Sequence, residues 1–183
     1  MRYVLTFCIE YGIILLPRKE REDIPMAKAI YFDMDGTIAD LYGVEGWLDM
    51  LRASDPTPYR IAKPLLNMRS LARRLNTLQR KGYTLGIISW LSKDCSPAYA
   101  EEITQAKREW LAKHLGSVKW DELHFVAYGT RKSEVARIEQ GILFDDDEGN
   151  REEWGIAYSQ VSACSEKVIT ETLVELYLCE VGG

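Results

Sequence analysis

The chain has 183 residues, of which 46% are hydrophobic and 28% are charged, with a formal net charge of -5 at pH 7. These values are ordinary for a soluble globular protein, and the length suits one domain that can bury a sizeable core. The acidic balance gives no basic surface for bulk nucleic acid, so that class of partner is not expected.

The first 25 residues are expected to form an extension outside the folded domain. An apolar run over residues 3–16 is followed by a charged run over residues 18–23. The apolar run is too short to span a bilayer, and no signal-peptide cleavage pattern follows it. A short hairpin is the alternative for this segment. We therefore expect the domain to occupy residues 26–183, with no membrane as a partner.

Two aspartates follow the first predicted strand. Residues 27–32 form a short apolar run typical of a buried parallel strand, and Asp33 and Asp35 come directly after it. Gly36 then permits a backbone turn that a side chain would hinder. Ligands of open α/β sheets bind beyond the carboxyl ends of the strands, so both carboxylates are expected to face a site. With Mg²⁺ to relieve their repulsion, such carboxylates suit nucleophilic and acid–base chemistry.

A helical stretch separates the first strand from the second. Residues 45–52 have helical spacing, prolines break the pattern at residues 55–58, and a better marked helix is predicted over residues 64–81. This leaves a small helical insertion over about residues 41–63. It has room to cover the site as a lid.

The apolar pattern next predicts a strand and a long helix. Residues 83–88 are typical of a buried strand that ends at Ser89 and Trp90. Residues 98–115 form an amphipathic helix, in which Trp110 is expected to lie in the core. A further strand over residues 123–127 and a short helix over residues 133–137 are also predicted.

A second apolar strand also ends in acids. Residues 141–144 are followed by Asp145 and Asp146, whose oxygens are the kind of ligand that hard cations prefer. A last short strand is predicted over residues 155–158, and a terminal helix over residues 165–180. The sequence thus predicts a three-layer α/β/α domain with a mainly parallel sheet and a small helical insertion after strand 1.

The cysteines lie far apart, and none forms a Cys-x-x-Cys pair, which argues against a zinc ribbon. Reduced thiols in the cytoplasm are expected. The histidines, His114 and His124, have no partner at metal-ligand spacing and are predicted to be structural. The four cysteines are Cys8, Cys95, Cys164 and Cys179.

Four landmarks in order resemble the haloacid dehalogenase superfamily of aspartate-nucleophile phosphotransferases. The segment Asp33-Met34-Asp35-Gly36-Thr37 is similar to its motif I, and Ser89 stands where motif II ends in a hydroxyl residue. Lys132 stands at the place of the motif III lysine, with Arg131 as a competitor for the role. The acids after residues 141–144 are similar to motif IV.

This resemblance implies a set of catalytic roles. Asp33 would attack phosphorus and form an aspartyl-phosphate. Asp35 would protonate the leaving oxygen and then activate the water that cleaves the intermediate. Asp35 in this position implies a phosphatase, because the dehalogenase branch lacks that acid.

The resemblance also implies how substrate and metal are bound. Ser89, Lys132 and the backbone around Gly36 would hold the phosphoryl oxygens, with Trp90 beside them. Mg²⁺ would bind to Asp33, to the Asp35 carbonyl and to one of the two motif IV acids. Asp145 and Asp146 are equal candidates for that last ligand.

The substrate is expected to be a nucleotide or another small phosphorylated metabolite. Three segments are loosely similar to the 5′(3′)-deoxyribonucleotidase branch: Ala39-Asp40 after motif I, the helical Lys107-Arg108-Glu109-Trp110, and the ending Phe144-Asp145-Asp146. The proline usual after its motif II is absent, since Trp90 follows Ser89. Tyr42, Trp47 and Trp90 are candidates to stack on a base or to pack within the protein. A polynucleotide 3′-phosphatase and a non-catalytic binding module of the same fold are the alternatives.

Overall fold

The computed structural model describes residues 28–137, 141–158, 162–163 and 166–181. The predicted extension over residues 1–25 lies outside the described residues. The strands are β1 (Ala29–Phe32), β2 (Ala39–Asp40), β3 (Lys63–Pro64), β4 (Thr84–Trp90), β5 (Glu122–Val126), β6 (Ile142–Phe144) and β7 (Ser162–Ala163). The α-helices are α1 (Trp47–Arg52), α2 (Thr57–Ile61), α3 (Met68–Arg80), α4 (Pro97–Leu115), α5 (Glu148–Tyr158) and α6 (Glu166–Val181).

Five strands form one parallel sheet in the order β5-β4-β1-β6-β7. Along the chain, β4 pairs with one side of β1 and β5 then pairs with β4. The next strand, β6, pairs with the other side of β1, and β7 pairs with β6. The strand order therefore reverses beside β1. In open α/β sheets such a reversal places a ligand crevice beyond the carboxyl ends of the strands.

The central strand is buried on both faces, which explains its continuous apolar sequence. Ile30 and Phe32 pack into a core that includes Leu75 of α3 and Leu173 of α6. Tyr31 points to the opposite face, where its ring lies 5.5 Å from that of Trp154 in α5. The predicted three-layer α/β arrangement with a mainly parallel sheet is confirmed.

A small helical insertion lies between β1 and α3. The antiparallel pair β2–β3 closes its base, and α1 and α2 lie between these two strands. Tyr59 of α2 packs against Tyr99 and Ile103 of α4. The indole nitrogen of Trp110, also in α4, donates a 2.7 Å hydrogen bond to the carbonyl oxygen of Ala62. The insertion is therefore fastened to α4 by buried contacts.

Three sequence predictions of local structure need correction. The helix predicted from residue 64 starts at Met68, because Pro64 belongs to β3 and Asn67 caps the helix by accepting a 3.0 Å hydrogen bond from the Ser70 amide. The short helix predicted over residues 133–137 is only a 3₁₀ turn, Lys132–Glu134.

The third correction concerns the last predicted strand, over residues 155–158, which is wrong. These residues form the end of α5. The Asp147 carboxylate accepts a 2.8 Å hydrogen bond from the Asn150 amide at the start of that helix, and Trp154 anchors it on the sheet. The long helix predicted over residues 98–115 and the terminal helix are both confirmed. No helix within the described ranges is long and apolar enough to cross a membrane.

Candidate active site

A buried lysine joins the carboxyl ends of β1 and β6. Asp33 directly follows β1, and its amide donates a 2.8 Å hydrogen bond to the carbonyl oxygen of Phe144, which extends the pairing of the two strands. Asp33 and Asp145 consequently lie side by side. Lys132 donates 2.6 Å hydrogen bonds to Asp33 Oδ1 and to Asp145 Oδ2. All three side chains are almost completely buried.

The electrostatics of this trio follow from its burial. Burial lowers the pKa of Lys132, but the carboxylates of Asp33 and Asp145 outweigh that effect, so the pKa lies above its ordinary value. Burial and the nearby charge of Asp33 raise the pKa of Asp145 to about 6, although Lys132 acts in the opposite direction. One ammonium group therefore does not fully offset two buried carboxylates.

A tight turn after β1 directs Asp35 back toward the sheet. The Met34 carbonyl oxygen accepts hydrogen bonds from the amides of Thr37, Ile38 and Ala39, at 3.3, 3.0 and 2.8 Å. Gly36 has a φ of +81°, a conformation that side chains disfavour, and a Cβ there would collide with the carboxylate of Asp146. Both features explain why a glycine follows the acidic pair.

Asp146 lies against this turn. Thr37 Oγ1 donates a 3.3 Å hydrogen bond to Asp146 Oδ1. Burial, followed by the charges of Asp33 and Asp145, raises the pKa of Asp146 to about 7. The acids after β1 and β6 thus form one electrostatic unit.

The neighbouring Asp145 is held by α5. Asn150 Nδ2 lies 3.3 and 3.2 Å from the two carboxylate oxygens of Asp145, and the amide of Asp147 donates a 2.9 Å hydrogen bond to Asp145 Oδ1. Arg151 donates hydrogen bonds to the carbonyl oxygens of Asp145 and Asp146. No feature of the sequence predicts this role of Asn150.

A second buried lysine, Lys107 of α4, contacts Asp35. Its Nζ donates hydrogen bonds to Asp35 Oδ2 at 2.6 Å, to Ser89 Oγ at 2.8 Å and to the Trp90 carbonyl oxygen at 2.8 Å. Burial raises the pKa of Asp35, Lys107 opposes this rise, and the charge of Asp33 reinforces it. Asp35 and Ser89 are therefore brought together through a residue that the sequence analysis did not assign to the site.

A signal for Lys107 does exist in the sequence. Ile103, Lys107 and Trp110 follow each other at helical spacing, so Lys107 lies on the apolar stripe of an amphipathic helix. A lysine in such a position is buried, and buried lysines are paired with acids. The acid that pairs with it, Asp35, is distant in sequence, so the pairing itself needed the fold.

Trp90 lies beside the site with its ring held by packing. Its indole nitrogen donates a 2.8 Å hydrogen bond to the Thr130 carbonyl oxygen, and its ring centroid lies 4.8 Å from that of Tyr128. Lys132 Nζ lies 5.3 Å from the centroid of the Trp90 ring. This contact between the Lys132 ammonium group and the Trp90 ring is of the cation–π type.

Another aromatic pair lies at the edge of the acidic cluster, which is formed by Asp33, Asp35, Asp145 and Asp146. The ring centroids of Tyr42 and Trp47 are 5.1 Å apart, and Tyr42 is 51% exposed. Burial and the nearby charge of Asp146 raise the pKa of the Tyr42 hydroxyl. The ring of Tyr42 thus reaches the acids while it keeps an open face.

The two histidines lie elsewhere: His124 contacts Glu122 at 2.9 Å, and the ring of His114 packs on Trp110.

The donor set has the chemistry that a hard cation requires. Four carboxylates face two ammonium groups, and burial, followed by the charges of neighbouring acids, raises the pKa values of Asp145 and Asp146. Within the described part of the chain, no three His, Cys, Asp or Glu side chains form a ready metal cluster. Lys132, which bridges Asp33 and Asp145, occupies the space between these two acids. The residues present fit Mg²⁺ in ligand type and in charge.

Sequence comparisons give no family assignment. No protein-family model matches the chain, and no curated protein matches it. Among solved structures, the chain is similar to a hydrolase from Streptococcus pneumoniae TIGR4, at 11% identity and a TM-score of 0.49, over 82% of this chain and 99% of that one.

Two further solved structures are similar at comparable levels. One is an uncharacterized protein from Corynebacterium glutamicum ATCC 13032 Kitasato, at 16% identity and a TM-score of 0.45, over 82% of this chain and 95% of that one. The other is D,D-heptose 1,7-bisphosphate phosphatase from Burkholderia thailandensis, at 12% identity and a TM-score of 0.44, over 71% and 73% of the two chains.

Proposed function

We propose that this chain is a Mg²⁺-dependent phosphomonoester hydrolase of the haloacid dehalogenase type, which acts through an aspartyl-phosphate on Asp33. The observation that carries the proposal is the Lys132 bridge, which holds Asp33 and Asp145 at 2.6 Å each on adjacent strand ends. Asp35 lies on the turn that follows. A nucleophile, a second acid and a buried cation at one sheet edge are the parts that such chemistry requires.

In the first step, a carboxylate oxygen of Asp33 attacks phosphorus and the bond between phosphorus and the ester oxygen breaks. Asp35 gives its proton to that leaving oxygen. The raised pKa of Asp35 supports this role, because it favours the protonated acid before the reaction. Lys132 and Ser89 would bind the phosphoryl oxygens as negative charge develops on them.

In the second step, the Asp35 carboxylate takes a proton from water, and the resulting hydroxide attacks phosphorus. The bond between phosphorus and Asp33 breaks, which releases phosphate and restores the carboxylate. Asp35 is then protonated again and ready for the next ester.

Mg²⁺ would be held by Asp33, by the Asp35 carbonyl oxygen and by Asp145 or Asp146. When bound, the ion supplies positive charge that offsets the negative charge of the acids and of the phosphoryl group. Its binding would require Asp33 or Asp145 to share its oxygens between the ion and Lys132.

We further propose a nucleotide or another small phosphorylated metabolite as the substrate. The aromatic pairs Tyr42–Trp47 and Trp90–Tyr128 lie near the acids and support stacking on a flat group, as a base would provide. Free thiols at Cys95 and Cys179 are consistent with a cytoplasmic location.

The test is phosphate release from nucleoside monophosphates, deoxynucleoside monophosphates, sugar phosphates and a 3′-phosphorylated oligonucleotide, with Mg²⁺ and with chelator. Asp33→Asn should lose turnover by about 10⁴-fold or more, since it removes the nucleophile. Asp40→Asn is the matched control and should remain active. Within the described part of the chain, the Asp40 side chain accepts a 3.0 Å hydrogen bond from the Gly43 amide and contacts no other acid or lysine of the site.

Each outcome selects a function. Turnover that needs Mg²⁺ and is lost in Asp33→Asn supports the proposal, and the best ester identifies the substrate class. Preference for the oligonucleotide would favour a polynucleotide 3′-phosphatase. No turnover by a folded chain that binds Mg²⁺ would contradict catalysis and favour a binding module.

A further inference from the structure

Lys107 lies in a cage of groups from three parts of the fold. Its ammonium group contacts Asp35 after β1, and Ser89 and the Trp90 carbonyl oxygen at the end of β4. The ring centroid of Tyr59, from the insertion, lies 5.0 Å from Lys107 Nζ. All three donor positions of the ammonium group are thus occupied.

Fold stability alone gives a poor reason for a lysine here. Moving an ammonium group out of water is costly, and well-packed apolar residues often replace buried ion pairs without loss of stability. Lys107 lies beside the apolar residues Ile103 and Trp110, where a methionine or leucine would extend the core. The partners of Lys107 instead lie at the carboxyl ends of β1 and β4, where the site is formed.

We propose that Lys107 is a positioning residue, which holds the Asp35 carboxyl group in place for proton transfer and orients the Ser89 hydroxyl toward the substrate. This inference rests on the proposed phosphatase function and extends it to a residue outside the four motifs.

The contact with Asp35 leaves one carboxyl oxygen free. Lys107 binds Oδ2, so Oδ1 remains available to carry the proton to the leaving oxygen and to take one from water. The Asp35 side chain is 17% exposed, whereas Lys107 is almost completely buried. An effective general acid must be held within hydrogen-bond reach of the atom that it protonates.

The contact with Ser89 fixes a hydrogen-bond direction. A hydroxyl is one donor and two acceptors, and Ser89 Oγ accepts from Lys107. Its proton is therefore free to be donated elsewhere, as binding of a phosphoryl oxygen requires. A single lysine thereby arranges both the proton donor and one phosphoryl ligand.

The test compares the first turnover of two esters in Lys107→Met and Lys107→Gln. An alkyl phosphate needs a proton on its leaving oxygen, whereas 2,4-dinitrophenyl phosphate releases a stable anion. The first turnover of the alkyl ester should fall by about 100-fold, and the burst of dinitrophenolate by less than about 10-fold. Phosphorylated Asp33 should then accumulate from the dinitrophenyl ester, because Asp35 also activates the water.

Two control variants separate this effect from a loss of structure. Ser89→Ala removes only the phosphoryl ligand and should slow both esters equally. Lys113→Met makes the same substitution at an exposed position of α4 and should leave both rates unchanged. Far-UV circular dichroism and thermal unfolding monitor the fold of every variant.

A double-mutant cycle tests whether Lys107 acts through Asp35. For the alkyl ester, Asp35→Asn/Lys107→Gln should be slower than Asp35→Asn by no more than the loss that Ser89→Ala causes in the wild-type chain. The double variant leaves no unpaired buried charge, so this comparison can be made even where Lys107→Met and Lys107→Gln do not fold.

The outcomes distinguish the two proposals. If the wild-type chain is active, equal losses on both esters or additive losses in the cycle would overturn only the proposed role of Lys107. No turnover of either ester by the wild-type chain would overturn the proposed function and the role of Lys107 with it.

Discussion

The two buried lysines of the site contact acids in different ways. Lys132 comes from the loop after β5 and lies between two buried carboxylates, those of Asp33 and Asp145. Lys107 comes from α4 and contacts one carboxylate, that of Asp35, together with a hydroxyl and a carbonyl oxygen. The first lysine chiefly offsets charge, and the second chiefly directs hydrogen bonds. Similar burial of the same residue type therefore serves different purposes.

Among the substitutions that test this comparison, Lys132→Met is expected to have the largest effect. It leaves Asp33 and Asp145 buried without a cation, so the free energy of unfolding at neutral pH in chelator should fall by about 3 kcal/mol. Phosphate release should fall by about 1,000-fold, because a phosphoryl ligand is also lost. Urea denaturation and a phosphate assay measure the two quantities.

We expect a smaller loss of stability for Lys107→Met than for Lys132→Met. Only one carboxylate loses its partner there, and the Asp35 side chain is 17% exposed to water, which can hydrate it. Arg131→Met is the control, since Arg131 is an exposed neighbour of Lys132 whose ion pair among the described residues is with the exposed Glu134, at 3.7 Å. A larger loss of stability in Lys107→Met than in Lys132→Met would contradict the distinction between the two lysines.

The pH dependence of stability should come from Asp35, Asp145 and Asp146, the acids of the site whose pKa values burial raises. The pKa values of Asp145 and Asp146 are raised to about 6 and about 7, so between pH 4 and pH 7 the native state binds more protons than the unfolded state. The free energy of unfolding in chelator should therefore fall as pH rises through this range. The shifts from 3.8 to about 6 and to about 7 total about 5 pKa units, or about 7 kcal/mol at about 1.4 kcal/mol per unit. Because Asp146 is partly exposed, screening by water should reduce the fall to a few kcal/mol.

Urea denaturation at pH 5 and pH 7.5 measures this fall. Asp145→Asn should reduce the slope, because it removes one of the titrating groups, and added Mg²⁺ should raise stability more at pH 7.5 than at pH 5. A stability that rises with pH in chelator would contradict the account of the acidic cluster.

The smallest expected effect is that of Trp110→Phe, which loosens the attachment of the insertion to α4. The substitution removes the 2.7 Å hydrogen bond to the Ala62 carbonyl oxygen and keeps an aromatic ring. The free energy of unfolding should fall by about 1 kcal/mol. Activity on the alkyl ester should fall less than in Lys107→Gln, and a greater loss would show that anchoring of the insertion matters more than Lys107.

The sequence predicted those parts of the site that depend on short segments. Asp33 and Asp35 follow one apolar strand, and Asp145 and Asp146 follow another. Because parallel strands end at one edge of a sheet, the proximity of Asp33 and Asp145 could be predicted. Local sequence and one rule of sheet geometry were sufficient for these acids. Lys132, in contrast, was predicted only from the resemblance to motif III, because an isolated lysine before a strand is ordinarily a surface residue.

The contacts that depend on packing between distant elements could not be predicted. Lys107 meets Asp35 across 72 positions of sequence, and only the packing of α4 beside the insertion brings them together. The start of α3 was misplaced because the pairing of Pro64 with Ala39 in the β2–β3 pair is not visible in a helical apolar pattern. The strand predicted over residues 155–158 failed because Trp154 anchors a helix whose amphipathic pattern is weak.

The most direct test of the proposed function is the detection and location of the covalent intermediate. The chain would be mixed with its best ester and Mg²⁺, quenched in acid, treated with protease and analysed by mass spectrometry. If Asp33 is the nucleophile, a phosphoryl group should be found on Asp33, should be lost with hydroxylamine and should be absent in Asp33→Asn. Phosphate release without a covalent intermediate, or a phosphoryl group on another residue, would contradict it.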